Sequence, residues 1–266
     1  PPRSTLFPYT TLFRSAEIRG LMGRLAADPG AAAGQRLLRP GSGKAAGFLL
    51  ITSDRGLCGA YNTNVLHELE RGLAGSAESR IYLFGRKGAE WLRKRGLPPA
   101  AWFQEPDLEH ADFAAAQAIS ARLAREFESG AIGSLALVYT RFESMARFVP
   151  VREPLLPIDP ALLEPSSAPG AWEGTLLEPG AEELLAALVP RYLAVQVHGA
   201  MMQALASEYA SRRISMKNAT DAAGSMKNAL TRAYNQARQD NITRELLDIV
   251  GGDRKSTRLN SSHRIR

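Results

Sequence analysis

The sequence predicts an α/β protein in which a small domain with a mainly parallel sheet is joined to a long C-terminal coiled-coil helix. Up to Pro157, short continuous apolar runs alternate with stretches of helical spacing, as in strands that are buried on both faces and separated by helices. Beyond Arg191, apolar residues recur at alternating steps of three and four, and no proline or paired glycine interrupts this pattern before Val250. With 45% hydrophobic and 23% charged residues, the 266-residue chain has enough apolar material for a hydrophobic core.

The elements of the domain follow in order from these runs. Apolar spacing predicts the helices, a composition rich in glycine, proline and alanine predicts the first loop, and short apolar runs predict the strands. The predicted elements are a helix from Ala16 to Ala26, a loop from Asp28 to Lys44, a strand from Ala46 to Thr52, a helix from Tyr61 to Leu73, a strand from Arg80 to Phe84, helices from Arg86 to Arg95 and from Ala111 to Phe127, and strands from Ser134 to Phe142 and from Ala146 to Val151. This order, with room for one more strand before the third of these domain helices, is typical of a small Rossmann-like α/β domain with an antiparallel edge.

The chain is expected to have four parts between two flanks. They are a helix and loop over residues 16–44, an α/β domain over residues 45–157, a linker over residues 158–180 and a long helix over residues 181–252. The flanks, residues 1–15 and 253–266, resemble translated adapter sequence and are left out of the fold prediction. They hold seven of the 33 basic and one of the 27 acidic residues, so the remainder carries 26 of each. A neutral body, whose basic helix has Trp91 as its only aromatic residue, argues against nucleic-acid binding.

The long helix carries one apolar stripe, here called the seam. At about 1.5 Å per residue this helix is far longer than the roughly 30 Å width of a small domain, so part of it is expected to extend from the domain as an arm or a shaft. The spacing begins at Met202, Leu205 and Tyr209. Small side chains dominate its later part, so a partner helix can approach closely while each contact buries little apolar area. The seam residues are Met216, Ala219, Ala223, Met226, Leu230, Ala233 and Ala237.

A polar group, here called the collar, follows the seam. It includes Arg238, Gln239, Thr243 and Glu245. The seam itself is interrupted by Arg212, Asp240 and Arg244, at positions where a permanent helix zipper would lose stability, which indicates a close fit with low adhesion. The alternative interpretation is the solvated face of an ordinary helix.

The turn after the first strand, here called the motif turn, lies where an α/β enzyme places its site. Its candidate residues are Asp54, Arg55, Gly56, Cys58, Gly59 and Asn62. The glycines lack Gly-x-Gly-x-x-Gly spacing, no phosphate-binding lysine motif is present, and no histidine stands out as a base for Cys58. We therefore predict no catalytic residue and expect a structural turn in which Asp54 caps the next helix, with catalysis as the alternative.

Other classes of site have little support in the sequence. The single cysteine excludes an intramolecular disulfide and a cysteine-based zinc cluster, and the four histidines are scattered, so no metal or cofactor is predicted. No uninterrupted apolar run reaches the ~18 residues of a membrane span, and the N-terminus lacks the form of a signal peptide. We expect a cytosolic chain without direct membrane insertion.

Two segments carry a family resemblance. They are SDRGLCGAYNTN, from Ser53 to Asn64, and SEYASRRISMKNATDAAGSMKNALTRAYNQARQDNITRELLDIVGG, from Ser207 to Gly252. Together with LLEPGAEELL, which ends at Leu185, they resemble the gamma subunit of the bacterial F-type ATP synthase. The resemblance covers residues 16 to 252.

The resemblance implies a non-catalytic rotor subunit of the central stalk, which transmits rotation between the proton-driven c-ring and the catalytic alpha and beta subunits during ATP synthesis. It implies alpha, beta and epsilon subunits and the c-ring as partners, and a peripheral position on the cytoplasmic side of the bacterial inner membrane. By motif position, Arg212 and the collar residues Arg238, Gln239, Thr243 and Glu245 are expected to contact the alpha and beta subunits, the collar residues at the catch loops. Cys58 alone does not allow the dithiol control of chloroplast relatives.

The sequence departs from this family at its start. In the family a long N-terminal helix pairs with the C-terminal helix, and here residues 1–15 stand where most of it is expected. We therefore expect the seam to expose apolar surface and the chain to pair with itself or aggregate. Two other classes stay open: a small α/β enzyme or nucleotide binder that uses Asp54 and Cys58, and a coiled-coil scaffold that holds one partner permanently.

Overall fold

The computed structural model describes the backbone of residues 18–26, 29–159 and 180–262, and the side chains of residues 18–26, 30–159 and 180–250. The chain divides between Ile214 and Ser215 into two units. The N-terminal flank and most of the expected linker lie outside the described residues.

The first unit contains a sheet and the helices that pack on it. Its elements are α1 (residues 18–26), α2 (Pro29–Ala33), a 3-10 helix (Arg36–Leu38), β1 (Ala46–Ile51), α3 (Tyr61–Ala74), β2 (Ser79–Phe84), α4 (Arg86–Lys94), β3 (Ala101–Phe103), α5 (Phe113–Glu128), β4 (Ser134–Ser144), β5 (Arg147–Leu156) and the first part of α6 (Ala181–Ser262). The predicted α/β class with a long C-terminal helix is confirmed.

The five-stranded sheet has the strand order β3-β2-β1-β4-β5. The central strand β1 pairs in parallel with β2 and β4, so that Leu50 lies opposite Leu83 on one side and Val138 on the other. At the edges, β3 pairs in parallel with β2, and β5 pairs antiparallel with β4. The sheet is therefore mainly parallel with one antiparallel edge, and β3 fills the place left open for an additional strand.

Alternate side chains of β1 enter two hydrophobic cores. Phe48 and Leu50 pack with residues of α3 and α4 on one face. Leu49 and Ile51 belong to the core on the other face, which includes residues of α5 and α6. This burial on both faces explains the continuous apolar run of β1.

Two stretches of the first unit differ clearly from the prediction. The expected loop from Asp28 to Lys44 contains α2 and the 3-10 helix, because Leu37 and Leu38 are buried in the core and hold a helical turn there. The last strand was expected to end at Val151, but β5 continues to Leu156. Its prolines are tolerated because β5 is an edge strand.

Helix α6 packs on the first unit through a stripe that differs from the predicted one. Met201, Ala204 and Ser207 are buried, whereas Met202 is only partly buried and Tyr209 is 46% exposed. The contact stripe therefore lies one residue away from the apolar spacing seen in the sequence.

One stretch of α6 is long and apolar enough to cross a membrane, with a mean hydropathy of 1.2 over 18 residues. In the structure, 44% of that window is buried inside the protein. Leu185, Val189 and Leu193 of this part of α6 belong to the hydrophobic core, and a core helix passes the same test of length and composition.

The second unit consists, in its described part, of the continuation of α6. Every residue from Met216 to Val250 is exposed. The helix does not end at Gly252 as expected but continues to Ser262.

Candidate functional site

The three residues that directly follow β1 cap the N-terminus of α4. Thr52, Ser53 and Asp54 each accept one of the first three backbone N–H groups of this helix, which have no partner within the helix itself. The bonds run from Gly88 N to Thr52 Oγ1 (2.9 Å), from Lys87 N to Ser53 O (3.0 Å) and from Arg86 N to Asp54 Oδ1 (3.1 Å). The motif turn therefore begins at a fixed junction between a strand and a helix.

The expectation that Asp54 caps the next helix in the sequence is wrong. That helix, α3, follows Ala60 and has no side-chain cap. Instead, Asp54 caps α4 through Oδ1, and its Oδ2 accepts the N–H of Leu108 at 3.2 Å. Since β1 and β2 are neighbours in the sheet, the end of β1 lies beside the helix that follows β2.

A buried network fixes the inside of the motif turn. Asn62 accepts the Ser53 N–H through Oδ1 at 3.1 Å and donates from Nδ2 to the Ser53 hydroxyl at 2.7 Å and to Cys58 Sγ at 3.2 Å. The Ser53 hydroxyl in turn donates to the carbonyl oxygen of Arg55 at 2.8 Å. Cys58 is only 2% exposed, so its thiol serves here as a packed hydrogen-bonding group.

Two residues of the turn adopt left-handed backbone conformations. Gly59 has φ of 56° and Leu57 has φ of 63°, and the Leu57 side chain is exposed. Gly56 has open space where a Cβ would be placed. Only Gly59 of these two glycines therefore has a backbone reason for its identity.

The motif turn and its neighbours are bonded to α6. The Ser211 hydroxyl donates to the carbonyl oxygen of Cys58 at 2.6 Å, and the Tyr61 hydroxyl donates to that of Ala204 at 3.1 Å. From the sheet side, Ser207 donates to the carbonyl oxygen of Thr140 on β4 at 3.1 Å. Burial and the Glu208 carboxylate raise the pKa of Tyr61, so its hydroxyl stays a neutral donor.

An ion pair lies at the same junction. Arg212 donates from Nη2 to Glu208 Oε1 at 2.6 Å, and its Nε and Nη2 both lie 3.3 Å from the carbonyl oxygen of Gly56. Burial raises the pKa of Glu208, the nearby carboxylates of Asp54 and Glu109 raise it further, and Arg212 opposes both. Arg212 is therefore held by its own chain.

The space beside the motif turn is small. A polar pocket of about 20 Å³ lies between Asp54 and Arg55 of the turn and Glu208 and Arg212 of α6. Such a volume holds about one water molecule, whereas ligand pockets have roughly 300–1,000 Å³. A groove of about 610 Å³ beside α4 and β3 contains none of the predicted site residues. Among the described residues, no group of three or more His, Cys, Asp or Glu is placed to hold a metal ion.

The predicted partner contacts fall into two environments. The collar residues Arg238, Gln239, Thr243 and Glu245 are all exposed, and the Thr243 hydroxyl donates to the Gln239 carbonyl oxygen at 2.9 Å. Arg212 is partly buried, with 23% of its side chain exposed. The seam residues are exposed as well, Met226 by 67% and Leu230 by 64%.

Several residues of the junction were not identified from the sequence. Ser207, Glu208 and Ser211 of α6 lie at its centre, and all three are buried. The available signal was the spacing of Ser207 and Ser211, small polar residues one helical turn apart, which place two hydroxyls on one face of α6.

The comparisons with known proteins agree with each other. A family model described as ATP synthase matches residues 14–254. The ATP synthase gamma chain of Desulfosudis oleivorans is 36% identical over 255 residues, which cover 92% of this chain and 84% of that relative. The ATP synthase gamma chain of Nitratidesulfovibrio vulgaris strain Hildenborough is 34% identical over 237 residues, covering 88% of this chain and 81% of the relative.

A solved structure also shares the fold. A chain from the Euglena gracilis mitochondrial ATP synthase, described as OSCP/F1/c-ring, matches with a TM-score of 0.61 at 19% identity and covers 84% of this chain and 75% of that one. The family model spans most of the sequence, and each of the two relatives is matched over more than two thirds of its length. The chain therefore belongs to the gamma subunits of the F-type ATP synthase.

Proposed function

We propose that this chain is the rotor of the central stalk, which transmits rotation between a proton-driven c-ring and the alpha and beta subunits that make ATP. One observation carries the proposal. One face of α6 is buried against the α/β domain as far as Ser211, and every residue from Met216 to Val250 is exposed. Such a helix offers a firmly seated base and a long surface for other subunits.

The exposed surface has the chemistry that a moving contact needs. The alanines of the seam allow another helix to approach closely, but each buries little area, so adhesion per contact is weak. The collar residues Arg238 and Gln239 offer hydrogen bonds and charge, which form and break readily in water. We infer that the collar, together with Arg212, meets the alpha and beta subunits and that this contact depends on the rotation angle.

The chain is a subunit of the ATP synthase, and we propose that it is itself non-catalytic. The motif turn supports this view because its polar groups are used within the chain. Asp54 caps α4 and Asn62 bonds Ser53, and the pocket beside them has about 20 Å³. We further propose that the subunit binds no cofactor and meets epsilon and the c-ring through the α/β domain, at the cytoplasmic side of a bacterial plasma membrane.

Reconstitution tests the proposal. The full chain is mixed with alpha and beta subunits of a bacterial F-type enzyme, and magnesium-ATP hydrolysis is measured, both with the chain as it stands and with the N-terminal helix of a curated relative fused to it. We expect hydrolysis above the level of alpha plus beta only when the chain is present. A folded chain, verified by circular dichroism, that neither assembles nor raises hydrolysis in either form would refute the rotor role.

A further inference from the structure

We propose that three buried hydroxyl groups lock α6 against rotation in the α/β domain and so carry torque from this domain to the shaft. The lock consists of Tyr61, Ser207 and Ser211 with the carbonyl oxygens that they bond. The inference rests on the proposed rotor function and names the residues through which the rotor transmits force.

The three bonds reach α6 from separate elements. Ser211 bonds the motif turn at Cys58, Tyr61 joins α3 to Ala204, and Ser207 bonds β4, at distances of 2.6, 3.1 and 3.1 Å. The side chains of all three are buried, with Ser207 completely so. Water cannot replace a partner at these positions, so each hydroxyl loses its bond if α6 turns or slides.

Apolar packing also resists rotation of α6, but it specifies the angle of the helix less sharply. Leu193, Val197 and Met201 attach α6 to the core, but the hydrophobic effect has no direction and depends only on the area removed from water. A hydrogen bond requires a particular distance and angle between two particular groups. The three hydroxyls therefore fix both the rotation of the helix about its axis and its position along the axis.

The position of the lock along α6 suits this task. Ser211 is the last buried residue of the helix within the described side chains, and the first unit ends three residues later at Ile214. Torque applied further along the helix thus reaches the α/β domain first at the turn of α6 that contains Ser211 and Arg212. The bonds of Arg212 to Gly56 and Glu208 add to the same junction.

The test compares two double variants in the complete ATP synthase, incorporated into lipid vesicles. Ser207→Ala/Ser211→Ala removes two hydroxyls of the lock. The control, Ser120→Ala/Ser129→Ala, also removes two serine hydroxyls, but these bond the carbonyl oxygens of Gln117 and Glu126 in α5, the helix that contains Ser120 and ends directly before Ser129. ATP hydrolysis and proton uptake are recorded on the same vesicles.

We expect the lock variant to hydrolyse ATP at close to the normal rate while the protons moved per ATP fall roughly twofold or more, because the bonds that resist load are missing. The control should keep the normal ratio, and Ser211→Thr, which retains a hydroxyl, should keep it as well. If the lock and control variants move equal numbers of protons per ATP, the proposed lock is refuted. If the double variant does not assemble, Tyr61→Phe provides the same test, because it removes a hydroxyl and keeps the ring.

Failure of the proposed function gives a different result. In that case, the unsubstituted chain neither assembles into the complex nor supports proton uptake, and the lock is overturned together with the rotor role. A coupled unsubstituted chain with an equally coupled lock variant overturns the lock alone.

Discussion

The carboxylate of Glu208 and the guanidinium of Arg212 form an ion pair, one helical turn apart on α6, with 2.6 Å between Oε1 and Nη2. The side chain of Glu208 is only 8% exposed and that of Arg212 is 23% exposed. An acidic residue that precedes a basic one by four positions is the favourable order on a helix. The buried carboxylate therefore depends on this cation for its charge balance.

Replacement of the cation should cost stability. We expect Arg212→Ala to lower the free energy of unfolding by about 2 kcal/mol, because it leaves the Glu208 carboxylate buried without its partner. Glu208→Gln in the same chain should restore part of the loss, since a neutral amide needs no cation. Urea denaturation of the full chain measures both variants. Equal stability of the single and double variants would show that the loss does not come from the unpaired carboxylate.

The same carboxylate should make stability depend on pH. Its pKa is raised in the folded protein, so the folded state binds the proton more tightly than the unfolded state does. The stability that comes from protonated Glu208 is fully present below the ordinary glutamate pKa of 4.5. It is lost as the pH rises through the raised pKa of the folded protein. The unfolding free energy of the natural chain minus that of Glu208→Gln should therefore increase as the pH falls from neutral towards 4.5. A constant or decreasing difference would contradict the burial of this charge.

Four of the strands could be predicted from the sequence, with β3 only as an open place between two helices, but the partners of the polar residues could not. A run such as Ala46 to Ile51 is apolar because both faces of β1 are buried, so the local pattern is enough to identify the strand. Asp54 looked like the cap of the next helix because sequence distance was the only available guide. Its true partner, Arg86, is 32 positions away and is brought near by the pairing of β1 with β2.

Apolar spacing also placed the contact face of α6 one residue away from its true position. Met202 and Tyr209 fit the spacing, whereas the buried stripe includes Ser207, Glu208 and Ser211. A pattern of hydrophobicity cannot show that polar residues are buried when bonds to a distant turn compensate them. The roles of the seam and the collar depend on other subunits and stay predictions.

Replacement of Gly85, which directly precedes α4, should strongly destabilise the protein. Its φ is 101°, and an added Cβ would lie 2.2 Å from the Thr52 carbonyl oxygen. We expect Gly85→Ala to lower the free energy of unfolding by more than about 3 kcal/mol, because strain and overlap add. Gly96→Ala is the matched control, since Gly96 also has a positive φ, 67°, but has open space around the Cβ position. It should cost about 1 kcal/mol, and equal losses in urea denaturation would exclude the overlap.

The exposed seam should cause self-association. Met226 and Leu230 are 67% and 64% exposed, and apolar residues at this spacing form a surface that pairs with another helix. We expect Met226→Glu/Leu230→Glu to lower the weight-average sedimentation coefficient of the full chain. Met145→Glu, at a site that is 52% exposed in the turn between β4 and β5, should leave it unchanged. A natural chain that sediments as a monomer would contradict the prediction.

The collar should affect coupling without affecting folding. Arg238 and Gln239 are exposed, so Arg238→Ala/Gln239→Ala should change the free energy of unfolding by no more than about 0.5 kcal/mol. In the assembled enzyme, the same change should lower ATP turnover and the protons moved per ATP, because the collar loses its polar contacts with the alpha and beta subunits. Lys217→Ala/Asn218→Ala removes a similar charge and amide from another exposed part of α6 and should have a smaller effect. Turnover and coupling that match those of the unsubstituted enzyme would show that the collar is only a solvated helix face.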